Sequence, residues 1–221
     1  VNRKISEYVN TIKIPQHDCM EYVVKLENDN DKIKFVDKTE KIIRQSLEYS
    51  DYIQYLKDNI GLDRCIFFQN IQRQRGSHKK ITIELHHEPF TLFDIVYTVL
   101  CKNIDNGTPI NDLDIADEVM NLHYENKVGL VPLSKTAHQM VHRSDKLFVP
   151  VNMCYGNYAA FYAEYDSYIP EEVRNRLEKK IERTEKLTPE DFKAIAKEFT
   201  YLDMDGVEDI ERIEVSSLMS A

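Results

Sequence analysis

No stretch of this chain approaches eighteen consecutive apolar residues, so a transmembrane helix is not expected. The segment Val1-Asn2-Arg3-Lys4-Ile5 has no apolar run behind its positive charges, so a secretory leader is not expected either. C-x-x-C pairs are missing. Cys19, Cys65, Cys101 and Cys154 are scattered, which excludes a cysteine-held zinc and predicts a reduced, cytoplasmic protein. No internal repeat or low-complexity segment is present. An excess of positive charge is missing too: a formal net charge of −9 argues against an indiscriminate nucleic-acid binder.

What is there supports a real core. Of 221 residues, 42% are hydrophobic, enough for one large domain or two small ones, and 30% are charged, within the range of soluble proteins. The charge is uneven. From Arg64 to Lys80 the five charged side chains (Arg64, Arg73, Arg75, Lys79, Lys80) are all basic, whereas Tyr201–Glu214 holds six acidic residues and one Arg. An acidic chain can still present a local basic face to phosphate.

The elements follow from periodicity. Residues 1–35 alternate weakly and read as short strands or an irregular lead-in. A 3–4 spacing of Ile42, Ile43, Leu47, Ile53 and Leu56 predicts a helix over about 39–59, with Thr39 as N-cap and Gly61 as the left-handed C-terminal residue. Cys65–Phe68 reads as a short strand, and alternation over Lys79–Leu85 as another. Helices are predicted over 91–102 and 112–123, a strand over Val128–Leu133, and a helix capped by Ser134. Tyr155, Tyr158, Tyr162, Tyr165 and Tyr168 share one helical face; core packing is the plain reading and a base-stacking platform the sharper one. Pro170 opens a charged helix to Lys186 with a seam of Val173, Leu177 and Ile181, and Thr188 opens a last helix. Asp203-Met204-Asp205-Gly206 resembles the start of a calcium loop but lacks its later ligands, which excludes that site. The regions are 1–62, mixed and helical; 63–150, a core with a helical insertion at 91–123; and 151–221, helical with an acidic tail.

Five of the seven histidines fall between residues 86 and 142. His138 and His142, four apart, share a helical face and can converge on one ion. His86 and His87 are neighbours at a strand end and cannot point the same way. One can serve as a ligand and the other as a base. His123 is assigned no role and is expected to be partly exposed.

Two segments carry a family resemblance: Glu84-Leu85-His86-His87-Glu88-Pro89, and Gly129-Leu130-Val131-Pro132-Leu133-Ser134-Lys135-Thr136-Ala137-His138-Gln139-Met140-Val141-His142. Together, over about 79–145, they resemble the HNH nucleases of the ββα-metal (His-Me finger) group. The fold class this implies is α+β, a ββα-metal (HNH) core with a helical insertion and flanking helices. The resemblance makes His86, His138 and His142 metal ligands and His87 the general base. There are three departures. The Asn that usually opens the second strand and orients the base is replaced by Gly129, with Asn126 as a candidate for its role. The strands are unusually far apart in sequence. The flanking cysteine pairs are absent.

The resemblance implies a metal-dependent DNA endonuclease, with a divalent ion (Zn, Mn, Ni or Mg) as cofactor. An all-imidazole set favours Zn, Ni, Co or Mn over Mg. Arg73, Arg75, Lys79, Lys80, Lys135 and Arg143 are candidates for holding the nucleic-acid backbone. The Lys/Asn/Asp/Ile/Tyr-rich style of the chain suggests a phage source. The competing reading is an inactive binding or assembly factor of the same fold. There the four histidines close a structural zinc site, and the charged helix and acidic C-terminus meet a protein partner.

Overall fold

The computed structural model describes residues 23–68, 82–143, 147–188 and 190–191. The expected strands before residue 23, the basic loop around Arg73 to Lys80, most of the last helix and the acidic tail lie outside the described residues.

The first helical region starts earlier than the periodicity predicts and is broken in the middle. Helix α1 spans Asp29–Gln45; Asn28 caps it by accepting from the Asp31 N–H at 3.1 Å. Thr39 is therefore not a cap but a fully buried residue within α1. Ser46, extended at φ −68° and ψ 145°, ends α1 and starts α2 (Leu47–Tyr55), its hydroxyl accepting from the Tyr49 N–H at 3.0 Å. Of the predicted stripe, Ile43 and Leu56 are buried, but Leu47, the first residue past the break, is exposed. A π-helical turn (Leu56–Ile60) follows and stops at Gly61, whose φ of +89° is the left-handed conformation expected of it.

The sheet has two antiparallel strands, β1 (Ile83–His87) and β2 (Leu130–Ser134), in register from Ile83 opposite Ser134 to His87 opposite Leu130. Cys65–Phe68 is buried but forms no third strand. The Ile66 N–H reaches β2, donating to the Pro132 carbonyl at 3.0 Å. Proline has no N–H to return the bond, so a ladder cannot propagate along that edge. Tyr155 takes the next place on the same edge, exchanging two 2.8 Å bonds with Leu130.

Between the strands run α3 (Leu92–Asp105) and α4 (Asp112–Tyr124). Thr91 and Asp94 form a reciprocal capping box at the start of α3, and Asn111 caps α4. After β2 comes α5 (Lys135–Arg143), with the Ala137 N–H on the Ser134 hydroxyl at 3.3 Å, as the cap prediction requires. The tyrosine-rich stretch gives α6 (Tyr158–Tyr165), and Pro170 precedes α7 (Glu171–Glu185), whose Val173 and Leu177 are buried. Tyr165 is in the core beside Phe161, and the other tyrosines of that stretch are half-buried. The larger core draws on all six of α1, α2, α3, α4, α6 and α7 with Leu85 and Leu130. A smaller one joins Cys65–Phe68, Ile83, Val131, Leu133, Ala137, Leu147 and Val149. The described residues are mixed, dominated by helices, with one small two-stranded sheet, which is compatible with the α+β expectation.

Candidate metal centre and the buried histidine pair

Alternation along β1 decides which way its side chains go. Glu84 and His86 project toward α5, where His138 and His142 lie one turn apart. His86 Nδ1 is 3.1 Å from His138 Nε2, and His138 Nε2 is 3.0 Å from His142 Nε2. These three histidines form the candidate metal-holding group among the described residues. Their spacing fits an ion: two nitrogens at about 2.0–2.1 Å from one cation sit about 3–3.4 Å apart. Burial and the neighbouring His138 hold His142 below the ordinary imidazole pKa, which favours the neutral, ligating form.

The outer partners fit as well. The far nitrogen of His138, Nδ1, is 2.6 Å from the Glu84 carboxylate. The far nitrogen of His86, Nε2, lies 3.5 Å from Glu88 Oε2, and Glu88 is itself buried and paired with Lys180 of α7. A carboxylate behind a metal-binding imidazole fixes the ring and raises its basicity. Sequence reading missed both acids. Glu84 was legible, two residues before His86 on the same strand face; Glu88 needed the tertiary fold.

His87 points to the other side of β1, into the helical insertion. It is 4% exposed, stacked on Tyr49 at 6.3 Å between ring centres and 12° between planes. Burial, then the neighbouring His123, pushes its pKa well below that of a free imidazole. Its Nε2 lies 3.1 Å from Nε2 of His123. His123 is 1% exposed rather than partly exposed, with its Nδ1 2.8 Å from the Val119 carbonyl, and burial pushes its pKa down to about 4.

The structure brings His123, not Asn126, to His87. Asn126 follows α4 in a left-handed conformation at φ +57°, and its Oδ1 is buried with no hydrogen-bond partner among the described residues. Nor could Gly129 carry the missing Asn. A Cβ there would sit 2.0 Å from the Glu88 carbonyl oxygen, where the chain entering β2 crosses the chain leaving β1.

Of the expected backbone-binding residues, Lys135 and Arg143 are exposed at the two ends of α5, and Arg73, Arg75, Lys79 and Lys80 lie outside the described residues. A further basic surface was not foreseen. A cleft of about 650 Å³ is lined by Glu88, Val141 and, from α7, Arg176, Lys179, Lys180 and Arg183. The four basic residues follow an i, i+3, i+4, i+7 pattern, one face of a helix. Arg176 is paired with Asp94 and Arg183 lies over the Phe148 ring. Among the described residues no helix is long and apolar enough to cross a membrane.

A family model described as Bacteriophage G278-like virion protein matches residues 2–212. No curated protein and no solved structure matches the chain.

Proposed function

The chain belongs to the Bacteriophage G278-like virion protein family, and we propose that it is a metal-dependent endonuclease of the HNH (ββα-metal) type, hydrolysing phosphodiester bonds in DNA. The phage association read from the style of the sequence agrees with that membership. The observation that carries the proposal is the convergence of His86, His138 and His142 at a strand end and one helix face, each of the first two backed by a carboxylate, with His87 next in the chain and turned the other way. Three protein ligands leave positions open for water or phosphate, the mark of a catalytic rather than a structural zinc-type site.

The roles follow by position. His86, His138 and His142 would hold the cation, which supplies stabilisation of the charge building on a non-bridging oxygen and on the leaving 3′ oxygen. His87, kept neutral by burial, takes the proton of water as the water oxygen bonds to phosphorus. The bond from phosphorus to the 3′ oxygen breaks, and the products carry a 5′-phosphate and a 3′-hydroxyl. Lys135, Arg143 and the basic face of α7 would hold the polyanion.

The family description favours a second reading, in which the ion stabilises a component of the particle and no bond is cut. Supercoiled plasmid incubated with the protein and Mg, Mn, Ni or Zn, with and without chelator, separates the two. The nuclease reading expects metal-dependent nicking that His87→Ala abolishes while metal content is preserved; because His87 is buried against His123, Tm falls in either reading and does not separate them. If stoichiometric ion raises Tm and no ion supports nicking, the nuclease reading fails and the particle role stands.

A further inference from the structure

We infer that His123 is the positioning residue for His87, fixing both the orientation of its ring and the nitrogen that carries its proton. The name "base" for His87 rests on the nuclease reading; the positioning itself rests on geometry.

The Val119 carbonyl can only accept, so His123 Nδ1, 2.8 Å away, must carry a hydrogen. A neutral imidazole has one N–H, so His123 Nε2 is left with a lone pair. The contact between the two Nε2 atoms at 3.1 Å therefore requires that His87 Nε2 donates. With its hydrogen on Nε2, a neutral His87 keeps its own lone pair on Nδ1. The opposite tautomer would set two lone pairs against each other inside the core. A base needs its lone pair on a defined nitrogen, and the chain from Val119 through His123 defines it.

His123 cannot swing away. The Tyr52 and Tyr49 rings meet it edge-on at 5.5 and 5.8 Å, and the Tyr52 hydroxyl donates to its backbone carbonyl at 3.0 Å. Tyr49 also stacks on His87, so the plane of the base is held by one neighbour and its donor nitrogen by the other. Neither of the positions expected to orient the base does so. Position 129 has no room for a side chain, and Asn126 makes no hydrogen bond to His87 among the described residues. The orienting contact, expected from the loop before β2, comes instead from the inserted helix α4.

The test uses the full chain with its histidine rings labelled with ¹⁵N, and long-range ¹H–¹⁵N correlation spectra that report the tautomer of His87. His123→Phe keeps a ring but no acceptor; His123→Gln keeps an acceptor. The wild type is expected to show His87 protonated at Nε2. His123→Phe is expected to lose that single tautomer while its affinity for zinc is unchanged, and to lower kcat for plasmid nicking by about 10²-fold with KM unchanged. His123→Gln is expected to restore the Nε2–H form and most of the rate. Wild-type His87 protonated at Nδ1 would overturn the inference, even if His123→Phe did not fold. So would a folded His123→Phe with the wild-type tautomer and kcat. The spectra need no substrate, so a protein that shows the Nε2–H tautomer, loses it in His123→Phe and still cuts no DNA would retain the positioning and refute the nuclease.

Discussion

Acidifying the protein should weaken it through His123 before most carboxylates titrate. In the fold the ring is buried and its pKa is about 4; in the unfolded chain it returns to about 6.5. Between those values the unfolded chain binds more protons, so stability rises with pH across that window and falls as pH is lowered through it. The contribution is intact above about 6.5. Each pH unit below that value removes about 1.4 kcal/mol until the folded pKa is reached, so the loss is about 2 kcal/mol at pH 5 and about 3 kcal/mol near pH 4. His87, depressed for the same reason, acts with the same sign. Urea denaturation of chelator-treated protein at pH 7, 6 and 5 reads this directly, and metal release is thereby removed as a cause. A loss of about 2 kcal/mol moves the urea midpoint by on the order of 1 M. His123→Gln supplies the reference, because its carboxylates still titrate but residue 123 does not. The stability gap between wild type and variant should narrow by about 2 kcal/mol from pH 7 to pH 5. Parallel pH profiles would refute the claim that a neutral histidine is buried against His87.

Three further perturbations probe other parts of the site. Glu84→Gln removes the charge behind His138 Nδ1, and zinc affinity by calorimetry should fall about 10–100-fold with the fold unchanged; an unaltered Kd would show that the carboxylate does not support a ligand. Gly129→Ala drives a methyl group onto the Glu88 backbone carbonyl, and the resulting shift of both strands should cost about 3 kcal/mol, seen as a Tm lower by roughly 10 °C. A Tm within two degrees of wild type, itself only about 1 kcal/mol, would mean the crossing is looser than its geometry. Reversing two charges in the α7 cleft, Lys179→Glu with Arg183→Glu, should weaken DNA binding by nicking-deficient His87→Ala protein and reduce the salt dependence of log K by about two. Unchanged anisotropy titrations would move the backbone contacts elsewhere.

The parts of this site that were legible in the sequence are those with a local period. His138 and His142 could be paired because a helix repeats every 3.6 residues, and His86 and His87 could be set apart because a strand repeats every two. The capping of α5 by Ser134 and of the π turn by Gly61 is equally local, written in one residue's side chain or in the lack of one. The break at Ser46 was hidden because the apolar stripe continues across it and outweighs a serine that can sit inside a helix as easily as at its start.

His123 was not legible, and the reason bears on what the insertion is for. It is 36 residues from His87, on an element with its own amphipathic pattern, and nothing in that pattern marks one of its buried positions as facing a strand end. Only the docking of α4, with Tyr49 and Tyr52 of α2 closing over it, turns a buried histidine into a partner. The long separation of β1 and β2 then has a physical account. With no room for a side chain at residue 129, that position cannot supply a side-chain hydrogen-bond partner for His87. The partner of His87 is instead His123, carried by α4. Removing α3 and α4 to join the strands directly would strip His87 of its ordered partner and take away much of the larger core that packs on Leu85 and Leu130. The insertion therefore packs directly against His87, on the side of β1 opposite His86, His138 and His142.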